Sequence, residues 1–221
     1  KTEAQQAVLA MHRIRQQLVK SRTAQINALR GLLAEYGEVF AVGRAAFNAG
    51  MKMALARLAE RLPAPLIETL RDQWNELGRL DERIARIEAA LQTWLRQNRA
   101  ATAIAAIPGV GLLTATAAVA AMGDAKAFRS GREFAAWIGL APAQTGSGGK
   151  IKLLGISKRG DTYLRTLLIH GARSVLYRVK SPSPWLAQLG QRRPPNVVIV
   201  ALANKIARTM WAVLAHERAY D

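Results

Sequence analysis

The sequence predicts a mainly α-helical protein, in which a long helical coiled-coil segment is followed by a compact helical domain. Two long stretches, 3–36 and 66–94, keep apolar residues at helical spacing. After Arg99 the composition changes from long charged segments to short segments rich in Ala and Gly. Hydrophobic residues make up 50% of the 221-residue chain, which is enough apolar material to fold. We therefore expect a coiled-coil segment at 1–98 and a compact domain at 99–221.

The first segment is predicted to contain three helices. Residues 3–36 lack proline and form one long helix that ends near Gly37. A second, shorter helical pattern covers 40–60, and Pro63 and Pro65 then break the chain.

The third helix, 66–94, has the clearest periodicity. Four apolar residues recur every seven residues, and three more follow three positions later: Leu70, Leu77, Ile84 and Leu91, then Leu80, Ile87 and Trp94. This seam of about three heptads must be buried against another helix. Its partner is either helix 3–36 of the same chain, in an antiparallel hairpin, or a second protomer. We expect a homo-oligomer, a dimer or tetramer, through this segment.

The charge indicates a polyanionic partner. Lys and Arg number 32 against 15 acids, giving a net charge of +17. Residues 1–100 hold 16 basic and 10 acidic residues, whereas residues 101–221 hold 16 and 5. A field of this sign attracts nucleic acid above all, and the second half is the expected binding surface.

Several other classes of protein and site find little support. The chain has no cysteine, which excludes disulfides, thiolate zinc sites and Cys nucleophiles. Its three histidines lack the spacing of a metal site, so no metal is predicted in this chain. An anionic membrane surface is a weak alternative partner, because the five Trp residues are scattered and no 18 consecutive residues are apolar.

A turn at 107–124 is a candidate phosphate-binding motif. Pro108 precedes Gly109-Val110-Gly111, and a helix of small residues follows, as in a helix–hairpin–helix turn. The glycines permit a tight turn, and amides at the start of the next helix can bind a phosphate. A plain helix–helix connection is the alternative. A dinucleotide-binding fingerprint fails, since no strand precedes the glycines.

The stretch 144–165, QTGSGGKIKLLGISKRGDTYLR, places Ser147 in a glycine-rich loop. A P-loop fails at Gln144 and Ile151, and a nucleophile elbow fails at Thr145. No His–acid pair stands nearby in the sequence, so a serine hydrolase has no support. What remains is a serine beside cations, an environment suited to a phosphodiester; the predicted phosphate contacts here are Lys150, Lys152, Lys158, Arg159 and Arg165. Ser157 or Asp161 is expected to cap the helix that follows.

Five blocks of residues together resemble the C-terminal transposase domain of the IS-one-ten and IS-eleven-eleven group of insertion-sequence recombinases. They are IPGVGLLTATAAVAAMGD, FAAWIGLAP, SGGK, GISKRGDTYLRTLLIHGARSVL and ANKIARTMWAVL. The preceding helices resemble the coiled-coil segment of the same family. The match covers essentially the whole chain, in the expected order.

The resemblance implies an RNA-guided DNA recombinase. Members of this group have an N-terminal RuvC-like domain whose carboxylates hold divalent metal, and a bridge RNA directs them to DNA. Matching SGGK residue by residue makes Ser147 the serine that attacks the DNA phosphodiester and forms a covalent phosphoserine link. The resemblance also implies a cytoplasmic, nucleoid-associated bacterial protein.

No RuvC-like domain precedes Lys1, so we expect the chain to be a fragment whose metal-binding carboxylates, and their Mg²⁺, lie in a missing domain. Such a fragment should bind nucleic acid without cutting it. The rival interpretation is a non-catalytic module that binds structured RNA, in which Ser147 is an ordinary loop residue.

Overall fold

The computed structural model describes residues 1–148 and 150–220, without the side chains of Ile151 and Leu153. The predicted mainly α fold is confirmed: the described residues form helices and one two-stranded antiparallel sheet. The first three helices are α1 Glu3–Glu35, α2 Arg44–Ala59 and α3 Ala64–Gln97. The remaining elements are α4 Arg99–Ala105, α5 Leu112–Met122, a 3₁₀ turn Ala125–Ala127, α6 Gly131–Trp137, β1 Pro142–Ser147, β2 Lys150–Ile156, α7 Thr162–Arg178, α8 Pro184–Arg192 and α9 Pro195–Ala215.

The chain divides into two compact units, one of residues 11–90 and one of residues 1–10 with 91–221. Helix α3 ends at Gln97, and the Asn98 side chain accepts a hydrogen bond from Ala101 N, which caps α4. The predicted boundary at residues 98–99 thus coincides with a helix end, and as a division into domains it stays a prediction.

In the unit of residues 11–90, α1 and α3 pack antiparallel. Arg15 pairs with Glu88 at 2.7 Å, and Arg22 pairs with Asp81 at 2.6 Å, so partner numbers on α3 fall as those on α1 rise. Arg44 of α2 also pairs with Asp81. These contacts tie three helices of one chain around one core.

The apolar seam of α3 is covered within this unit. Leu70, Leu77, Leu80 and Ile84 are buried in one cluster with side chains of α1 and α2, among them Leu29. The antiparallel partner within the chain is thus present for this part of the seam, while oligomerisation through the segment stays a prediction.

An ion pair joins α2 to the loop before it. The side chain of Glu38 accepts hydrogen bonds from Arg57, and this contact holds the pKa of the Glu38 carboxyl below its usual range and raises the pKa of Arg57.

The other unit is built around α9, which packs against α4, α6, α7 and α8. Its buried face includes Ile199, Ala203, Ala207 and Met210. Among the described helices of at least 18 residues, α9 alone is long and apolar enough to cross a membrane by length and composition. It packs against four helices, and its buried residues belong to the hydrophobic core of this unit.

Local capping sets the starts of the helices around the candidate site. Asp161 caps α7 by accepting a hydrogen bond from Leu164 N at 2.9 Å, which settles the choice between Ser157 and Asp161. Ser130 caps α6, and the nearby Glu133 carboxylate accepts a hydrogen bond from the Arg129 backbone N–H, which lowers the pKa of Glu133.

Candidate nucleic-acid interface

Ser147 lies at the end of a β-hairpin instead of in an irregular loop. It is the last residue of β1 and pairs with Lys150, and Thr145 pairs with Lys152. Because residues two apart on a strand share a face, these four side chains lie on one face of the hairpin. Directly opposed residues have Cβ atoms about 5 Å apart, so the Ser147 hydroxyl lies within reach of the Lys150 ammonium. All four residues are exposed. Gly149 of the SGGK motif lies outside the described residues.

The hairpin is fixed at its base. Ser157 N donates to Ala141 O at 2.9 Å, and Lys158 N donates to Gly139 O at 3.1 Å, which extends the pairing beyond the two strands. The seven residues of β2 span about 20 Å at about 3.3 Å per residue. The exposed cations therefore lie in two places. Lys150 and Lys152 lie towards the tip of the hairpin, with Ser147, whereas Lys158 and Arg159 lie at its base, away from Ser147.

Two backbone segments, 137–139 and 158–160, meet at this base in what we call the clasp. A Cβ atom on Gly160 would lie 1.8 Å from Trp137 O, and one on Gly139 would lie 2.1 Å from Arg159 O. Both glycines have positive φ, +75° and +81° respectively, and Lys158 also adopts positive φ, at +56°. A lysine holds this uncommon conformation only where its surroundings enforce it. The clasp therefore fixes the direction in which the hairpin leaves the domain.

Arg165 of α7 binds to both segments of the clasp and differs from the other predicted phosphate contacts on the hairpin. Its side chain is buried, with the residue 7% exposed, and the guanidinium donates to Ile138 O at 2.7 Å, to Arg159 O at 2.8 Å and to Thr162 Oγ1 at 3.0 Å. These bonds join both segments of the clasp to α7. We therefore assign Arg165 a supporting role in holding the clasp and do not retain it as a phosphate contact.

Arg165→Met is expected to lower the free energy of unfolding by about 2–4 kcal/mol, because it leaves two backbone carbonyls of the clasp without this donor. Arg165→Lys should recover part of the loss, since an ammonium can donate to the carbonyls but lacks the second nitrogen of the planar fork, which at Arg165 also binds Thr162 Oγ1. Urea unfolding would measure both. Arg173→Met, an exposed position on the same helix, is the matched control and should change stability by less than about 0.5 kcal/mol. Equal losses at the two positions would contradict the bridging role.

The Gly109-Val110-Gly111 turn connects α4 to α5. Val110 is buried and its N–H donates to Ile107 O at 2.9 Å, while the Gly109 backbone packs directly on α7, where a Cβ on Gly171 would lie 2.0 Å from Gly109 O. Gly111 is exposed and stands at the N-cap of α5, where no side chain caps the helix. Of the three predicted contacts, Gly111 alone presents an exposed backbone to a phosphate.

The Gly109-Val110-Gly111 turn and the base of the hairpin lie at different points along α7. Gly171, on which the turn packs, lies nine residues after Thr162, the first residue of α7, about 14 Å along the helix axis. A ligand touching both sites would have to extend along α7.

Carboxylates are scarce in this part of the chain. Within residues 1–148 and 150–220, no three His, Cys, Asp or Glu side chains lie together in a group that could hold a metal ion.

The clasp is the part of this site that sequence reasoning missed. Gly139 and Gly160 bracket the hairpin, one before β1 and one after β2; Gly139 lies in the block FAAWIGLAP, and Gly160 follows Arg159. The two glycines that flank the candidate Ser147 loop were the available signal, but which backbone each glycine touches depends on tertiary packing.

The sequence profile of the Transposase IS116/IS110/IS902 family matches residues 101–188 of this chain, which hold the turn, the clasp and the hairpin. The chain is 49% identical over 225 residues to a probable family 20 transposase of Pseudomonas aeruginosa, with 100% of the chain and 67% of the relative covered. It is 45% identical over 224 residues to the transposase for insertion sequence element IS1111A of Coxiella burnetii, covering 100% of the chain and 62% of the relative.

A third relative, the transposase for insertion sequence element IS1328 of Yersinia enterocolitica, is 39% identical over 217 residues, with 96% of the chain and 64% of the relative covered. The chain thus spans roughly two thirds of the length of these relatives. The resemblance drawn from the five sequence blocks is confirmed, and the chain belongs to the IS116/IS110/IS902 family of transposases.

Proposed function

We propose that this chain is the coiled-coil and catalytic-serine part of an insertion-sequence transposase that recombines DNA under the direction of a guide RNA. The observation that carries the proposal is the shared face of the hairpin, on which the exposed Ser147 stands opposite Lys150 and beside Lys152, in a chain of this family. The relatives named above are transposases, which supports DNA as the substrate.

In the proposed reaction, Ser147 Oγ attacks phosphorus of a DNA phosphodiester. The Oγ–P bond forms while a P–O ester bond of the DNA breaks; the serine hydroxyl gives up its proton to a base, and the leaving oxygen takes up a proton and departs as a hydroxyl, so that no net proton is gained or lost. One phosphodiester replaces another, so a second DNA hydroxyl can attack the phosphoserine and restore the DNA strand. The Lys150 ammonium stabilises the negative charge that develops on the phosphoryl oxygens.

The two groups of cations suit an extended polyanion. A span of about 20 Å between the tip and the base of the hairpin corresponds to about six base steps of duplex at about 3.4 Å per step. Lys152, Lys158 and Arg159 then hold the backbone along its length, and Gly111 offers the exposed start of α5 to a further phosphate.

The remaining parts of the machinery lie outside this chain. A serine hydroxyl is a weak nucleophile and needs a base or metal to activate it. We propose that a RuvC-like domain supplies carboxylates that bind Mg²⁺, that a bridge RNA selects the DNA site, and that protomers assemble as a dimer or tetramer. The proposed location is the cytoplasm, on the nucleoid.

The test of this function is strand exchange by a full-length protein that contains this chain. The protein would be incubated with guide RNA, Mg²⁺ and two DNA molecules that carry donor and target sites, and recombinant junctions would be amplified and sequenced. Junctions that require the protein and the RNA are expected. Tight RNA binding without junctions would favour the non-catalytic RNA-binding module instead.

The lysines on the hairpin face should act as phosphate contacts. Replacing both Lys150 and Lys152 by Ala is expected to weaken duplex DNA binding about uniformly across sequences and to lower the slope of log K against log salt by about two, since each phosphate contact contributes about one. Fluorescence anisotropy over a series of KCl concentrations measures the slope. Thr145→Ala, which changes the same face without removing charge, is the control. An unchanged slope in the double variant would place the phosphate contacts elsewhere.

A further inference from the structure

A large open groove lies beside the base of the hairpin, between α6, the end of β2, α8 and the outer side of α9. Its volume is about 1450 Å³. The floor is apolar and includes Leu140, Leu154, Val197, Val200 and Trp211. None of the functions assigned above uses this floor.

Several apolar side chains in the groove are open to solvent. Leu154 is 48% exposed, Val197 50% and Trp185 38%. Single exposed apolar residues are ordinary, but a continuous apolar surface within a concave site is typical of a binding surface. The floor is therefore suited to the apolar side of a partner.

The rim carries a single sign of charge. Arg132, Lys158, Lys205 and Arg208 line the groove, and none of the described lining residues is an Asp or Glu. The Lys205 ammonium lies 4.5 Å from the centroid of the Trp185 ring. This cation–π contact keeps the ammonium at the mouth of the groove and covers one face of the indole.

The apolar floor and the cationic rim together indicate which class of ligand fits the groove. The volume exceeds the roughly 300–1,000 Å³ typical of a small-molecule pocket. Nucleic acid binds through phosphates and by stacking bases on aromatic faces, whereas this floor is mostly aliphatic and Lys205 already occupies one face of Trp185. An amphipathic peptide with apolar side chains on one side and carboxylates along its edges complements both parts.

We propose that this groove binds an acidic amphipathic peptide segment of a partner protein. The apolar side chains of the segment pack on Leu154, Val197 and Val200, and its carboxylates pair with Lys205 and Arg208. The proposal does not depend on the chemistry assigned to Ser147.

The test begins with selection from a random peptide library displayed on phage, using this chain as bait. Phage would first be depleted on the double variant Leu154→Glu, Val197→Glu, which puts charge on the floor at two half-exposed positions and so spares the core. Circular dichroism and the thermal midpoint would show that the variant is folded. Enriched peptides are expected to carry net negative charge and apolar residues at helical spacing.

The strongest enriched peptide, labelled with fluorescein, would then be titrated with variants. Lys205→Glu, Arg208→Glu should weaken its binding at least about tenfold, because attraction becomes repulsion. Lys180→Glu, at an exposed lysine outside the groove, should change binding less than about twofold.

Three results would overturn the proposal. The first is that no peptide distinguishes the chain from the floor variant. The second is that the enriched peptides lack negative charge. The third is that the floor variant loses affinity for an oligothymidylate and for no peptide, which would assign the groove to single-stranded nucleic acid.

Discussion

Ser147→Ala is expected to abolish the covalent protein–DNA adduct while leaving nucleic-acid binding nearly unchanged. The substitution removes the proposed nucleophile but keeps both hairpin lysines and the strand register, since Ser147 is exposed at the end of β1. A full-length protein containing this chain would be incubated with guide RNA, Mg²⁺ and end-labelled DNA and examined on a denaturing gel. Strand exchange should fall with the adduct, by at least about a thousandfold, because the proposed nucleophile is removed.

Thr145→Ala is the matched control for this experiment. Thr145 also carries a hydroxyl, lies two residues away on the same face of the same strand, and pairs with Lys152 as Ser147 pairs with Lys150. It should retain the adduct and most of the strand exchange. An adduct that persists in Ser147→Ala, or that disappears equally in both variants, would remove Ser147 from the role of nucleophile.

Local patterns in the sequence were sufficient to predict the helices and several of their ends. The helix predicted at 3–36 is α1, Glu3–Glu35, because helical spacing of apolar residues without proline is a local property. The capping role of Asp161 also depends on a few neighbouring residues and was one of two alternatives considered. The apolar seam of α3 was recognised by its period, whereas its burial against α1 within the chain had to be observed.

The candidate site was predicted in part. Short motifs identified Ser147 and its neighbouring lysines, but the pairing of Ser147 with Lys150 depends on strand register, which a short, exposed and mostly polar strand such as β1 specifies weakly. Arg165 appeared as one cation among several, because burial of a guanidinium against carbonyls of distant segments has no local signature. The groove was missed for the same reason: its floor combines residues from β2 and α9 that are far apart in the sequence.

Gly160→Ala is expected to be among the most destabilising single substitutions in this chain, with a loss of at least about 3 kcal/mol in the free energy of unfolding. Two costs combine. Alanine at a φ of +75° costs about 1–2 kcal/mol, and its Cβ would lie 1.8 Å from Trp137 O, so the two segments of the clasp must separate. Separation also displaces Lys158 and the base of the hairpin, so strand exchange should fall more than nucleic-acid binding.

Gly123→Ala separates these two costs within the same unit. Gly123 has a similar φ, +71°, but the nearest atom to its Cβ position is 3.7 Å away, an ordinary contact, so only the backbone cost applies. Urea unfolding should therefore give a loss of about 1–3 kcal/mol for Gly123→Ala, whose ψ of −108° is also unfavourable for alanine, and a larger loss for Gly160→Ala, where the steric cost is added. Because Gly139→Ala would place its Cβ 2.1 Å from Arg159 O at a φ of +81°, it should resemble Gly160→Ala. Losses of equal size at all three glycines would mean that backbone conformation alone sets the cost, and that close packing of the clasp does not hold the hairpin.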